Sequence, residues 1–345
     1  IVMLSLGMIA DRIYCRRMIM AGSLISIFFC SAMPSLKNTS LMTLAVCLDG
    51  IGINLAFITI NILFIKIIPA ENRGKRMAFM IGSQQAGYAI GSAISSLLLR
   101  NFNLDPVTIF YGALPGHAIC FFLALKLQEA PIERFPLGHY LHDMKRIPAI
   151  CLALVTFTLG LHWGSERFVT ARFMDEVLGV KGMAMAALFL VSGLTLAASS
   201  RLGGRIIDTR KDFVTFLSFG MLVSGLMHAL CNWTLNYPLF LLARILHTMG
   251  DGIVTFGVPM LVSQAFPSGR MGGNYGFNRM INSIGAALGS WISGFLAARY
   301  FIGSSFVATG LIQLASALVI WAMRNHLSSI KVRSDGNAVM SPVRE

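Results

Sequence analysis

Ten long runs of apolar residues constrain the fold of this chain more than any other feature. They lie at about 18–34, 41–68, 77–99, 107–127, 148–168, 183–200, 213–232, 238–266, 275–298 and 303–323. About 20 apolar residues in an α-helix cross a hydrocarbon core that is about 30 Å thick. Because a bilayer offers no water to an unpaired strand, these runs predict transmembrane helices and an all-α integral membrane protein.

The composition agrees with a membrane protein and argues against nucleic acid as a partner. The 345 residues are 55% hydrophobic and 12% charged, with a mean hydropathy of +0.70, whereas soluble domains carry about 25% charged residues. The net charge is +13, but the basic residues are scattered singly among apolar runs rather than gathered on one polar face. The lipid bilayer is therefore the expected partner, and no nucleic acid is expected.

The six cysteines predict neither a disulfide framework nor a metal site. They lie mostly inside apolar runs and show no Cys-x-x-Cys spacing and no paired histidines. Small buried side chains are the simpler interpretation. The chain also lacks the short motifs of zinc proteases, serine hydrolases and P-loop nucleotide sites. We therefore expect no metal, no cofactor and no catalytic residue.

The basic residues of the connections predict the orientation of the chain in the membrane. Alternate connections hold most of them, and the opposite set holds chiefly Lys37, Arg172 and Lys181. Since positive residues concentrate in cytoplasmic loops, the basic set and the C-terminus are expected on the cytoplasmic side of a plasma or bacterial inner membrane. This set comprises Arg73, Lys75, Arg76, Arg134, Lys145, Arg146, Arg201, Arg205, Arg210, Lys211, Arg270 and the tail.

An internal repeat with an offset near 198 residues predicts the architecture. The segment 87–95 returns at 285–293, and each copy opens with a Gly-x-x-x-Gly pair that predicts close packing against another helix. Such parallel copies predict two six-helix halves, with the first helix and most of the second missing from the sequence, because the counterpart of 148–168 would precede Ile1. The predicted domains are an incomplete N-terminal bundle at 1–127, a cytoplasmic linker at 128–147, a C-terminal six-helix bundle at 148–324 and a cytoplasmic tail at 325–345.

Each half also carries a Gly-x-x-x-Asp turn followed by basic residues. The first copy reads Gly7-Met8-Ile9-Ala10-Asp11-Arg12, and the second reads Gly204-Arg205-Ile206-Ile207-Asp208. With the parallel repeat, these motifs resemble the major facilitator superfamily of secondary transporters. The resemblance implies two six-helix bundles and, at their cytoplasmic ends, a charge cluster that gates an alternating-access cycle. The implied gating set is Gly7, Asp11, Arg12, Arg16, Gly204, Asp208 and Arg210.

The motif copies depart from the family pattern at two positions. Tyr14 stands where the pattern usually has Gly, and Thr209 replaces the Arg that usually follows the second Asp. The alternative interpretation of both copies is a tight basic turn that sets only the topology.

Ionisable residues inside the apolar runs are candidates for binding a solute or a proton, because burying them in a membrane is expensive. Arg244, His247 and Asp251 are spaced by three and four residues and share one helical face. Asp49 lies 198 residues before His247, so we expect the two to face each other across a pseudo-two-fold axis. A carboxylate and an imidazole so placed predict a path for a coupling proton. The alternative for the Arg244 face is an internal salt bridge that locks two helices.

Four further residues complete the candidate set. His162 and Glu166 are one turn apart in the run 148–168. Because that run is expected to end near Glu166, a snorkelling interfacial pair with Arg167 is the alternative to a solute ligand. Gln84 and Gln85 would supply donors for a polar solute.

These features predict a secondary active transporter of a small solute, facilitated or proton-coupled, that works by alternating access as a monomer. Arg244 and the histidines favour an anionic or zwitterionic solute. The alternative is a transporter-like sensor or scaffold that binds a solute without moving it, and an intramembrane enzyme is the least favoured class.

Overall fold

The computed structural model of the protein describes residues 2–69, 71–101, 105–209 and 213–325. Within these residues the chain forms helices and no strand, which confirms the all-α prediction. The described α-helices are α1 (Val2–Arg12), α2 (Cys15–Ala32), α3 (Thr39–Ile67), α4 (Arg73–Asn101), α5 (Ile109–Ala124), α6 (Leu137–Met144), α7 (Ile147–Glu176), α8 (Met183–Thr209), α9 (Phe213–Leu230), α10 (Tyr237–Ala265), α11 (Met271–Arg299) and α12 (Ser304–Ala322).

Each of the ten apolar runs corresponds to a separate helix, and eight of the described helices are long and apolar enough to cross a membrane. The other two are α5, which is apolar but has only 16 residues, and α4, which begins with three basic residues in its first turn. The remaining helices are α1, before the first run, and α6, inside the predicted linker. The chain is therefore a multi-pass integral membrane protein.

Two seams join the N-terminal and C-terminal halves. Along one seam α4 packs on α8, and along the other α1 packs on α11. The second seam is close because Gly7 and Gly272 lie face to face, so that a Cβ atom on either residue would overlap the carbonyl oxygen of the other. Within the C-terminal half, α7 packs on α11 and α9 packs on α10 and α12, while α2 packs on α3 and α5 in the N-terminal half.

The repeat extends to the caps of equivalent helices. Asn38 accepts hydrogen bonds from the backbone N of Ser40 (2.9 Å) and Leu41 (3.1 Å) at the start of α3. Asn236, 198 residues later, accepts one from the N of Leu239 (3.0 Å) at the start of α10. An asparagine at the N-cap satisfies backbone donors that the first turn leaves unpaired. The two helices therefore begin at equivalent residues for the same reason.

The two Gly-x-x-x-Gly pairs behave differently. Gly285 and Gly289 press α11 against α7, since Cβ atoms there would overlap the carbonyl oxygens of the facing helix. The equivalent Gly87 and Gly91 of α4 have no atom of another described helix within 4 Å of a Cβ position. The predicted close packing is thus confirmed for the second pair and wrong for the first, because the face of α4 that carries the first pair meets no described helix.

The α7 helix is longer than its apolar run. It continues to Glu176, although the run was predicted to end at about 168. Its polar last turns remain helical, and the Arg172 Nε lies 2.8 Å from the Glu176 Oε1, a stabilising i, i+4 pair. Glu166 is therefore ten residues from the end of α7, about 15 Å along the axis, rather than at its outer edge.

Candidate functional site

A cluster of buried ionisable side chains lies where α7, α9 and α10 meet. Every member is fully buried except Glu166, whose side chain is about one-fifth exposed. The members from α10 share one face because of their three- and four-residue spacing, and those from α7 are one turn apart. The cluster, which we call the C-half cluster, comprises His162, Glu166, His228, Arg244, His247 and Asp251.

Two carboxylates converge on the same two imidazole nitrogens. The Asp251 Oδ2 lies 3.6 Å from the His162 Nε2 and 3.5 Å from the His247 Nε2. The Glu166 Oε2 lies 3.9 Å and 3.7 Å from these same nitrogens. Arg244 pairs with the other oxygen of Glu166. The C-half cluster thus holds one arginine and two carboxylates, so it carries one uncompensated negative charge while its histidines are neutral.

Hydrogen bonds from the surrounding helices fix the two α10 groups in place. The Ser224 hydroxyl donates to the Asp251 Oδ1 (2.5 Å), and the Trp163 Nε1 donates to the Oδ2 (3.2 Å). The His247 Nδ1 lies 3.0 Å from the Ser224 carbonyl oxygen, so it donates there and turns its Nε2 lone pair toward the carboxylates. Such outer contacts hold side chains in one rotamer and keep the geometry of a site constant.

Several polar atoms of the C-half cluster have no partner. Among the described residues, both ring nitrogens of His162, the Nε and Nη1 of Arg244 and the Nε2 of His247 are buried without a hydrogen bond. Buried donors and acceptors are normally paired, since each unpaired group costs about 1–3 kcal/mol. A group of unpaired atoms in one place therefore marks a position that a ligand or a proton can occupy.

His228 belongs to the C-half cluster, although sequence reasoning did not single it out. Its ring lies 4.2 Å from that of His162 and 5.0 Å from that of His247, measured between centroids. The rule used for the other candidates, an ionisable residue inside an apolar run, also applies to His228 in the run 213–232.

The structure does not bring all the predicted candidates to this cluster. Asp49 lies with Cys30 and His117 among α2, α3 and α5. That it faces His247 across the pseudo-two-fold axis stays a prediction. Gln84 and Gln85 lie on α4, which packs against α8, and the side-chain oxygen of Gln84 is buried without a partner. Glu166, in contrast, points at Arg244 and the histidines instead of forming an interfacial pair with Arg167.

The carboxylate of the first motif joins the two halves at the cytoplasmic ends predicted from the basic loops. The Asp11 Oδ1 and Oδ2 accept hydrogen bonds of 2.9 Å from the backbone N of Gly272 and Gly273, in the first turn of α11. The Lys66 Nζ lies 2.7 Å from the Oδ1, and the Tyr140 hydroxyl donates to the Oδ2 (3.0 Å). The helix N-terminus that favours this carboxylate is thus supplied by the opposite half.

The second motif makes the equivalent contact in the opposite direction. The Asp208 Oδ1 and Oδ2 accept from the backbone N of Gly74 (2.9 Å) and Lys75 (2.8 Å) at the start of α4. A Cβ atom on Gly204 would crowd the Gly74 carbonyl, so the small residue permits this approach. Each motif carboxylate therefore caps a helix of the other half.

Two basic residues of the first motif contact the predicted linker, residues 128–147. The Arg12 Nη2 donates to the Phe135 carbonyl (2.9 Å), and the backbone N of Arg16 donates to the Glu129 Oε1 (2.9 Å). Arg210, the basic residue of the second motif, lies outside the described residues.

A linker side chain that no motif indicated also holds the α11 end. Asp143 of α6 is buried and accepts from the Arg270 Nε (2.7 Å) and Nη2 (3.1 Å) and from the Asn274 Nδ2 (3.0 Å). Tyr140 is one turn earlier on the same helix, and burial together with the charge of Asp11 raises the pKa of its hydroxyl. The helix α6 therefore fastens the start of α11 to the first half.

Known proteins resemble this chain in sequence. A family profile described as the Major Facilitator Superfamily (MFS) matches residues 1–289. The uncharacterized MFS-type transporter YttB of Bacillus subtilis strain 168 is 23% identical over 267 residues, which are 71% of this chain and 64% of YttB. The chain thus spans less than two thirds of the length of this curated relative.

Solved structures resemble the chain in fold. The human organic anion transporter MFSD10 (TETRAN) has a TM-score of 0.78 at 14% identity, covering 92% of this chain and 80% of MFSD10. The proton:xylose symporter XylE has a TM-score of 0.72 at 15% identity, covering 94% and 84%. The Escherichia coli fucose:proton symporter FucP has 0.71 at 13%, covering 94% and 87%. Because the family profile matches most of its length, this chain belongs to the Major Facilitator Superfamily.

Proposed function

We propose that the chain is a secondary active transporter that moves a small anionic or zwitterionic solute by alternating access, with a proton as the coupling ion. Family membership supports transport as the activity. The observation that carries the proposal is the C-half cluster, because ionisable side chains are rarely retained inside a membrane without a task. In this proposal the ends with Asp11 and Asp208, and the C-terminus, face the cytoplasm.

The charge balance of the C-half cluster supports proton coupling. Arg244 pairs with Glu166, whereas Asp251 faces only histidines, so the two carboxylates outnumber the single arginine while the histidines are neutral. A proton on the Nε2 of His162 or His247 would gain both carboxylates as partners at 3.5 to 3.9 Å. Arrival of the proton would neutralise the site and its departure would restore the negative charge. The affinity for a charged solute would then depend on protonation.

The unpaired donors of Arg244 support the solute class. The Nε and Nη1 of this side chain are buried without a hydrogen bond, although a guanidinium has five N–H donors to satisfy. Carboxylates and phosphates are the groups that a guanidinium binds most strongly. A solute oxyanion would satisfy donors that Glu166 leaves unpaired.

The two motif carboxylates support alternating access. Asp11 binds the start of α11 and Asp208 binds the start of α4, so each half is fastened to the other at the same end. For the halves to separate at that end, both capping contacts must break, one at each of the two seams. We assign Gly7, Asp11, Arg12, Arg16, Gly204 and Asp208 to this cytoplasmic gate.

The test is transport in proteoliposomes that contain the purified full chain and a pH-sensitive dye. A pH gradient is imposed, and amino acids, sugars and organic acids are added one at a time to the wild type and to Asp251→Asn. We expect one class of anionic or zwitterionic solute to cause proton movement that Asp251→Asn loses. The matched control is Asp175→Asn, which removes an exposed carboxylate that pairs with Lys181 at 2.8 Å on the same half.

Three other outcomes would count against the proposal. Solute flux without proton movement would refute proton coupling and leave a facilitated carrier. Solute binding without flux in either direction would favour the sensor or scaffold. An equal loss of proton movement in Asp251→Asn and Asp175→Asn would mean that the C-half cluster is not responsible for coupling.

A further inference from the structure

We propose that Cys30, Asp49 and His117 form a binding site for a divalent transition-metal cation of the Zn²⁺ class in the N-terminal half. Cys30 lies near the end of α2, Asp49 in α3 and His117 in α5, three helices that pack on one another. One ligand atom from each side chain lies within 4.8 Å of the other two. We call these three residues the N-half cluster. The inference is independent of the proposed transport function.

The three side chains are a ligand set that suits zinc. A thiolate, an imidazole and a carboxylate bind Zn²⁺ at about 2.3, 2.0 and 2.0 Å, respectively. In a tetrahedral site such bonds place the ligand atoms about 3.3–3.5 Å apart. The observed limit of 4.8 Å means that each ligand atom needs to move by about 1 Å or less toward a shared centre.

The burial of Asp49 and its unpaired carboxylate oxygen are a second, independent indication that a cation binds here. The residue is 8% exposed, and its Oδ1 is buried without a hydrogen-bond partner. In the described part of the chain, no lysine, arginine or histidine forms an ion pair with it. A buried carboxylate without a cation is costly, since a charge in a low-dielectric environment must be paired, protonated or bound to a metal. Cys30, which is 2% exposed and a free thiol, places a metal ligand beside it.

The internal repeat shows that the arginine of the C-half cluster has no basic counterpart in α3. Cys30 and Asp49 lie 198 residues before His228 and His247, so the two clusters occupy equivalent positions on equivalent helices. In the C-terminal half, the position three residues before His247 is Arg244, which neutralises a carboxylate. Its counterpart in the N-terminal half is Val46, which has no charge.

This comparison distinguishes the two clusters chemically. The C-half cluster carries its own arginine and three histidines, whereas the N-half cluster carries a carboxylate, a thiol and a single imidazole. Thiolate and imidazole prefer a borderline-soft cation over Mg²⁺ or Ca²⁺, which take oxygen ligands. Three protein ligands also leave a fourth position open, so the ion would keep a water molecule and exchange with solution.

Cobalt binding tests the site with a signal that only a thiolate ligand gives. The full chain is purified in detergent, reduced, freed of metal and titrated with Co²⁺, while the sulfur-to-cobalt charge-transfer absorbance is recorded. We expect a band that saturates at one Co²⁺ per chain and disappears when Zn²⁺ is added. Because the C-half cluster contains no sulfur, cobalt bound there would not produce this band.

Three variants assign the band to the N-half cluster. Cys30→Ser should abolish it, and Asp49→Asn and His117→Ala should each weaken Co²⁺ binding by at least tenfold. Cys47→Ser is the matched control, because Cys47 is an exposed cysteine outside the cluster, and it should leave the band unchanged. A band that survives Cys30→Ser, or none in the wild type, would overturn the proposal.

A second measurement uses only the wild-type protein, so its result does not depend on whether the variants fold. X-ray absorption at the zinc edge of the wild-type protein loaded with one Zn²⁺ should show one sulfur neighbour at about 2.3 Å and nitrogen or oxygen neighbours at about 2.0 Å. A first shell without sulfur would overturn the proposal, whether or not transport is detected.

Discussion

Asp11→Asn should loosen the contact between the two halves at the start of α11. The wild-type carboxylate accepts from two backbone amides of α11 and from Tyr140, and it lies 2.7 Å from the Lys66 ammonium. Asparagine keeps the shape and one oxygen acceptor but removes the charge. The Lys66 side chain, which is 5% exposed, is then left buried without an anion.

The size of the effect follows from that unpaired ammonium. Removing one partner of a buried ion pair costs about 3–5 kcal/mol. At the lower figure the free energy of opening this seam falls by about 3 kcal/mol, which is roughly a 100-fold change in the opening equilibrium. Amides of the first turn of α11 that exchange through this opening should exchange faster by the same factor.

Hydrogen–deuterium exchange with peptide resolution measures this change directly. The peptide that covers 268–276 should exchange roughly 100-fold faster in Asp11→Asn, while the peptide 71–78 should change little. Asp208→Asn is the reciprocal control, because it releases the start of α4 and should accelerate only 71–78. Adding Lys66→Met to Asp11→Asn should recover much of the protection, since the unpaired charge is then gone.

Two results would refute this reasoning. Exchange of 268–276 within about threefold of the wild type would mean that the carboxylate does not hold the seam. Equal acceleration of both peptides by either single variant would mean that the halves open as one unit, so that the two capping contacts are not separate locks.

Three further predictions test other parts of the structure. Gly285→Ala should lower the free energy of unfolding by about 1–3 kcal/mol, because its Cβ meets the α7 backbone. Gly87→Ala should leave it unchanged, and equal thermal midpoints of the two variants would contradict the packing. Burial and Asp11 raise the pKa of Tyr140 above its ordinary 10.0, so its contribution to stability should be complete below about pH 10 and fall above it, as the unfolded chain ionises. Tyr140→Phe should flatten that alkaline fall in unfolding titrations, and an unchanged profile would contradict the assignment. Arg244→Lys should raise the KM for an anionic solute at least tenfold, because a lysine offers one compact ammonium instead of a fork of donors; an unchanged KM would exclude contact with the solute.

The helices could be predicted because their signals are local. Each apolar run is a continuous stretch of sequence, and the 198-residue offset relates pairs of stretches without any knowledge of packing. The end of α7 was missed for the same reason. Hydropathy marks where the apolar run ends, but the helix continues to Glu176, where the exposed Arg172 and Glu176 side chains pair with each other.

The candidate site could be predicted only where a single helix carries it. Arg244, His247 and Asp251 share a face that follows from their spacing. The partner of Arg244 could not be predicted, because Glu166 comes from a different helix whose rotation depends on packing. Lys66, Tyr140 and Asp143 belong to no motif. They reach Asp11 and the start of α11 only because two separate segments, α3 and α6, pack there.

The repeat relates positions in the two halves, while the chemistry at those positions has diverged. Asp11 and Asp208 kept the same task, since capping a helix N-terminus needs only a carboxylate and a small residue opposite it. Asp49 and His247 have different surroundings, because Val46 stands where the arginine that accompanies His247 would be. The binding preference of an ionisable side chain depends on such neighbours. A contact built from backbone amides therefore places few demands on the surrounding sequence, whereas in our proposal the ligand of an ionisable cluster depends on each charge within it.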